Sequence, residues 1–317
     1  MRRRNRTDLG LRETEVAASE PRPARPSVAL ALLLLALASL CWAGNHVLGR
    51  AIAGNVPPLA ISAIRWTVPA ILLLPFAAPH LRRDWPLIRE NAALIVSLSA
   101  LGGGLFGVLQ YVGLLYTTAI NVSVLNSLSP VLIALAAALL FRDRLTLAQA
   151  AGVAISLVGV LVIVCRSDIA ALTGLAFNWG DVVIVFNMAV FGIFSACLRL
   201  RPAIHWLSWM FLFALVSAVV ALPGYLVEHL SGSVLSWTGA TVAALAYASI
   251  FPTLVANLAW NRGVEVIGVN RAGATLHLVA VFSALLSTIL IGEALEGFHV
   301  LGFALILGGV WLTASQR

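Results

Sequence analysis

Residues 143–159 read DRLTLAQAAGVAISLVG, and residues 293–309 read EALEGFHVLGFALILGG. Both follow one pattern: an acidic residue, a leucine two places on, then two glycines seven apart, Gly152 and Gly159 in the first stretch, Gly302 and Gly309 in the second. The stretches lie 150 residues apart in a chain of 317. A shift of 149 residues extends the match upstream. It aligns Tyr111 with Trp260, Ala119-Ile120-Asn121 with Gly268-Val269-Asn270, and Trp42…Arg50 with Phe191…Arg199. The one-residue slip is what an insertion or deletion leaves. Three matches in the same order mark two related halves, and a period this long is that of a whole supersecondary unit.

Composition decides where those halves live. Hydrophobic residues make up 61% of the chain and charged residues 10%, with mean hydropathy +0.98. A soluble domain carries about 25% charged residues to cover its surface. The net charge of +7 and pI near 10.3 do not point to nucleic acid. Seven arginines (Arg2, Arg3, Arg4, Arg6, Arg12, Arg22 and Arg25) precede the first apolar run, where basic residues act as a topology signal. The three cysteines sit in apolar stretches without CxxC spacing and read as small hydrophobes.

Crossing a bilayer takes about 20 apolar residues. Ten such runs are predicted: 28–49, 57–77, 91–116, 118–140, 148–165, 179–198, 204–227, 237–260, 269–291 and 297–314. With the N-terminus inside, the inner loops carry Arg82, Arg83, Arg89, Arg142, Arg144, Arg199, Arg201, Arg262 and Arg271. The outer loops carry Arg50 and Arg166. The positive-inside rule therefore puts both termini in the cytoplasm, across a bacterial inner membrane. Five spans per half is odd, so the second half enters the membrane upside down. The expected fold is an all-α integral membrane protein, ten transmembrane helices as two inverted five-helix repeats. Its expected parts are an Arg-rich, disordered cytoplasmic tail (1–27), a first repeat (28–166) and a second repeat (176–315). Inverted repeats recur in secondary transporters, with the substrate site near the midplane between them.

Several motifs resemble the drug/metabolite transporter superfamily, in its EamA-type ten-helix branch. They are Trp42-Ala-Gly-Asn45, Arg65, Tyr116-x-x-Ala119-x-Asn121, Pro130 and Asp143-x-Leu145 in the first half, then Ala259-Trp260-Asn261, Gly268 and Gly292-Glu293-x-Leu295 in the second. The resemblance runs from Leu30 to about Leu312. It implies export or exchange of small metabolites through a central cavity, with the amino-acid exporters the best-matching branch. The sequence departs from the family in carrying Asp143 where Glu is common, and Val279-Ala280 where a proline is usual.

Polar and aromatic residues inside spans are the candidate substrate contacts. Arg65 lies about 12 Å into its span, where a guanidinium suits a substrate carboxylate. Trp42 and Asn45 share a helix face, and Phe191 occupies the equivalent place in the second half. Gln110, Tyr111, Asn257 and Trp260 complete a set suited to a small zwitterion with an apolar side chain. His277 is either a core histidine or a proton-linked one, because imidazole titrates near neutrality. Gly103 and Gly107 suit a gating break or close packing, Pro130 a bend, and Gly152, Gly159, Gly302 and Gly309 line helix faces, for packing within one chain or in a weak dimer. No Asp or Glu lies mid-span, so proton coupling through a buried carboxylate is not expected and facilitated or exchange transport is. Partners are a small-molecule substrate, an amino acid or similar metabolite, and membrane lipid. No cofactor, metal or catalytic set is read, as there is no Cys/His cluster or phosphate loop. The alternatives are a multidrug or nucleotide-sugar transporter, and less favoured, a membrane-embedded enzyme.

Overall fold

The computed structural model describes residues 27–51, 56–117, 122, 125–165, 178–292 and 296–315. The Arg-rich tail, Ala119-Ile120-Asn121, Arg166, Glu293-x-Leu295 and Gln316 lie outside the described residues. Ten helices carry the described part of the chain. They are α1 (Val28–Ala51), α2 (Pro58–Glu90), α3 (Ala92–Ser99, continued by Phe106–Leu114), α4 (Ser129–Phe141) and α5 (Leu147–Val164), then α6 (Trp179–Cys197), α7 (Trp206–Leu230), α8 (Gly239–Ser249, continued by Ala256–Ile267), α9 (Val269–Ala274, continued by Leu278–Ile291) and α10 (Gly297–Ser315). Eight of them are long and apolar enough to cross a membrane; the described parts of α4 and α5 are shorter apolar helices.

The helices pair so that each helix of one half finds the corresponding partner in the other. Helix α2 packs on α7 and α5 on α10, while α1 lies against α8 and α9 as α6 lies against α3 and α4. The interruptions correspond too. Helix α3 passes through a π turn at Ala100–Leu105 and α8 through one at Ile250–Val255, 150 residues on. A turn at Ser127-Leu128 precedes α4, and α9 is broken by a 3-10 turn at Thr275–His277. Even the left-handed residues that end α4 and α9 match: Arg142 at φ 57° and Gly292 at φ 79°.

The core sits between the halves and is aromatic: Trp209, Trp260, Phe194 and Phe213 are all at most 1% exposed. Large apolar side chains face outward instead, with Leu33 68%, Leu139 74% and Ile289 75% exposed. Surfaces this apolar belong against lipid. Polar caps appear at the helix ends. Thr146 with Gln149 starts α5 and Asn178 with Asp181 starts α6, each a reciprocal capping box. Glu228, near the end of α7, accepts from the Leu59 and Ala60 amides at 3.1 and 2.8 Å, covering the open donors at the start of α2.

One predicted span differs in length. The apolar run of the second span stops near Ala77, yet α2 continues to Glu90 through Pro69, Pro75, Pro79 and Pro86. The extension is held by the α6–α7 connection: His80 stacks on His205 with centroids 3.6 Å apart, and Asp84 accepts from the His205 amide at 2.8 Å. Arg82, Arg83 and Arg89 are therefore helical residues and not loop residues.

Candidate functional site

The π turn of α8 organises the centre of the molecule, and Pro252 explains its position. Proline has no N–H, so the carbonyl of Ala248 loses its helical donor. Thr253 Oγ1 takes that place, donating to Ala248 O at 2.7 Å. The same hydroxyl accepts from Arg65 Nε of α2 at 3.1 Å. The Pro252 carbonyl, freed by the widened turn, accepts from Trp42 Nε1 of α1 at 3.1 Å. Asn257 Nδ2 donates to the Thr253 carbonyl at 2.8 Å and reaches Pro252 O at 3.4 Å. Three of the candidate side chains, Trp42, Arg65 and Asn257, thus converge on two residues of one turn.

Next to this polar turn lies an aromatic group drawn from four helices. Trp42 meets Phe191 edge-on at 6.5 Å and Trp260 at 5.7 Å, while Phe191 lies 5.9 Å from Trp260 and 5.0 Å from Phe106. These separations are those of favourable aromatic pairs. Trp260 is fully buried and its Nε1 has no hydrogen-bond partner among the described residues. Arg65 is half-buried with its guanidinium 5.6 Å from the Trp66 ring centre.

The other candidates are spread more widely. Gln110 Oε1 accepts from Asn187 Nδ2 of α6 at 2.9 Å, and Asn187, fully buried, has no partner for its Oδ1 among the described residues. Tyr111 packs with Val56, Ile61, Ala244 and Leu245, a separate small cluster. Asn45 is half-buried and makes no hydrogen bond to a described residue. His277 lies at the break in α9, bonded to the Ser127 carbonyl and Ser156 Oγ.

The glycines serve close approach. A methyl on Gly103 would overlap Ser217 and Trp66, and one on Gly107 would come 2.9 Å from Ser62 Oγ. One on Gly152 would lie 2.6 Å from the Gly309 carbonyl, and one on Gly159 2.8 Å from the Gly302 carbonyl. The two seven-residue glycine faces therefore meet each other within one chain, α5 against α10. Pro130 starts α4 in its first turn, where a missing N–H costs nothing, and its Cα lies against Gly273.

Thr253, Pro252, Asn187 and Phe106 belong to the site and were not singled out by sequence. The signal for the first two is a proline inside an apolar span, followed by a hydroxyl able to replace the lost donor. Among the described residues no group of three or more His, Cys, Asp or Glu is placed to hold a metal.

At the bundle end carrying the α4–α5 connection, a cavity of about 270 Å³ opens between the halves, lined by Asp143, Arg144, Arg199, Asn270 and Arg271 among others. Asp143 and Arg199 form a two-pronged ion pair across it, and Arg199 lies 4.3 Å over the Phe141 ring. Nearby, Arg201 reaches Glu265 at 3.8 Å; burial draws the Arg201 guanidinium below its ordinary range, opposed by the Glu265 charge.

Known proteins resemble this chain in sequence and in fold. The model of the EamA-like transporter family matches the chain twice, over residues 29–165 and 178–315. The uncharacterized transporter YyaM of Bacillus subtilis is 28% identical over 72% of this chain and 74% of its own. A probable terminal-alkyne amino-acid exporter of Streptantibioticus cattleyicolor is 26% identical over 89% of this chain and 92% of its own. A solved crystal structure superposes with TM-score 0.72 over 90% of this chain and 96% of its own, at 22% identity, a likeness of fold alone. With a family match in each half, and with ten apolar helices whose breaks and partners correspond between the halves, the chain belongs to the EamA-like transporter family, a membrane transporter of small molecules.

Proposed function

We propose that this transporter exports or exchanges amino acids or similar small metabolites across a bacterial inner membrane by alternating access. Its two repeats have opposite orientations, and both termini lie in the cytoplasm. The observation that carries the reading is the convergence on the α8 π turn. One half-buried guanidinium, an aromatic group from α1, α3, α6 and α8, and the Asn257 amide surround irregular backbone at mid-helix. Non-helical backbone at membrane depth occurs where it is buried in protein or lines a cavity, and broken helices mark transporter substrate sites. In this reading Arg65 holds the substrate carboxylate, Trp42, Phe191 and Trp260 its apolar part, and Asn45, Gln110, Tyr111 and Asn257 line the path. The amino-acid exporter among the relatives, distant as it is, supports the same substrate class.

Transport requires that the aromatic group part. In the described arrangement Trp260 is fully enclosed, and the Asp143–Arg199 pair ties the halves at one end. Rocking of one repeat against the other would separate both. No acidic side chain lies mid-span, and the buried carboxylate of Asp181 is taken up by the capping box at the start of α6, which argues against coupling through a carboxylate. The glycine seam between α5 and α10 is occupied within one chain, which favours a monomer as the working unit.

Purified protein in liposomes is expected to move radiolabelled L-leucine or another neutral amino acid down its gradient. Absence of flux for all twenty amino acids would sink the substrate assignment while leaving the family intact.

A further inference from the structure

His277 stands apart from the aromatic group, in the 3-10 turn that interrupts α9, and is 2% exposed. Its ring ties that turn to two other elements. Nε2 lies 2.8 Å from the Ser127 carbonyl oxygen in the turn before α4, and Nδ1 lies 2.6 Å from Ser156 Oγ on α5. A carbonyl only accepts, so Nε2 carries a hydrogen in either form of the ring. Nδ1 has a choice. Ser156 Oγ also sits 3.0 Å from the Val153 carbonyl, and a hydroxyl has one hydrogen to give. When that hydrogen points to Nδ1, the imidazole is neutral. When it points to Val153, Nδ1 donates its own hydrogen to Ser156 Oγ, and the ring is an imidazolium. The two forms differ by one proton and one hydroxyl rotation, and both ring nitrogens stay bonded in each.

The frame around the ring is tight. A methyl on Gly309 of α10 would lie 2.8 Å from Ser156 Cβ, so α10 seats the serine. From the other side Ser39 of α1 donates to the Thr275 carbonyl at 3.0 Å, holding the turn. Among the described side chains of the packed elements the titratable groups are Cys41 of α1, Cys165 at the end of α5, Arg271 of α9 and His299 of α10, and residues 125–141, leading into and along α4, bring none; His46 and Arg50, near the end of α1, lie outside the described side chains. None of these is a hydrogen-bond partner of His277.

We propose that His277 is a proton-binding site of this carrier, loading and releasing one proton where the breaks before α4 and within α9 meet, so that transport is coupled to proton movement. The proton enters from water on one face when the breaks part and leaves to water on the other. Only an N–H bond forms and breaks, and no co-reactant is needed. The site sits at the element that must bend during access, so protonation and conformation act on the same bonds.

The test uses the full chain in lipid nanodiscs with ¹⁵N-labelled histidine, titrated from about pH 9 to about pH 4.5 and read by NMR, with His277→Gln identifying the signal. The expected result is an Nε2–H neutral ring whose Nδ1 gains a proton as pH falls. In Ser156→Ala the imidazolium loses its acceptor, and the midpoint is expected to fall by about one pH unit, tenfold in proton affinity. A ring that keeps one form throughout, or a midpoint that Ser156→Ala leaves unmoved, overturns the proposal. A second arm imposes a pH gradient on proteoliposomes carrying labelled L-leucine. Leucine flux indifferent to the gradient overturns the coupling. The expected titration without any leucine flux rejects the amino-acid reading and upholds the proton site.

Discussion

Arg65 gives its Nε hydrogen to Thr253, and its two terminal nitrogens have no hydrogen-bond partner among the described residues. A planar fork with free donors suits a carboxylate. Arg65→Ala is therefore expected to weaken carboxylate-bearing substrates about tenfold more than amines of the same shape, measured by competition in proteoliposome uptake. Equal losses would make Arg65 a structural residue. Arg65, Trp42 and Trp260 were legible in the sequence because a charge or a large aromatic ring stands out in an apolar span. Thr253 and Asn187 were not. A threonine's role here depends on the carbonyl that Pro252 exposes five residues behind it, and Asn187 answers to Gln110 on another helix. The first relation leaves only a faint local cue, a proline followed by a hydroxyl, and the second leaves none.

At the scale of elements, the repeat in the sequence carried much further than hydropathy. It located the glycine faces of α5 and α10, which pack carbonyl to Cα along their length. Gly159→Ala is expected to cost about 1–3 kcal/mol by overpacking, seen as a lower unfolding temperature in detergent. Gly308→Ala is the matched control, because nothing lies within 4 Å of a methyl there. If both variants unfold together, the seam is not the tight contact described. The helix breaks were only half legible. The Gly102-Gly103-Gly104 run and Pro252 mark the two π turns, but glycine and proline signal irregularity without saying which kind. Helix α2 escaped for the opposite reason. Its apolar run stops near Ala77, whereas packing of its tail on the α6–α7 connection holds it helical to Glu90.

For the whole molecule, span count and charge bias make one prediction about sidedness. In a cysteine-free background, single cysteines introduced as Thr7→Cys and Gln316→Cys are expected to react with a membrane-impermeant maleimide from the same side. Labelling from opposite sides refutes an even number of spans. The two-halves organisation was legible because both copies kept their spacing over 150 residues. The way the halves grip each other was not, since partner choice lies in shape rather than in composition. The length of α2 has a further consequence. Its 33 residues measure about 50 Å, against a hydrocarbon layer of about 30 Å. Helix α2 must lean steeply or stand proud of the bilayer, and its terminal stretch places Arg82, Arg83, Arg89 and the 60%-exposed Trp85 at headgroup depth. In the proposed topology that stretch would grip the phosphate layer, a keel against which the rest of the bundle could turn.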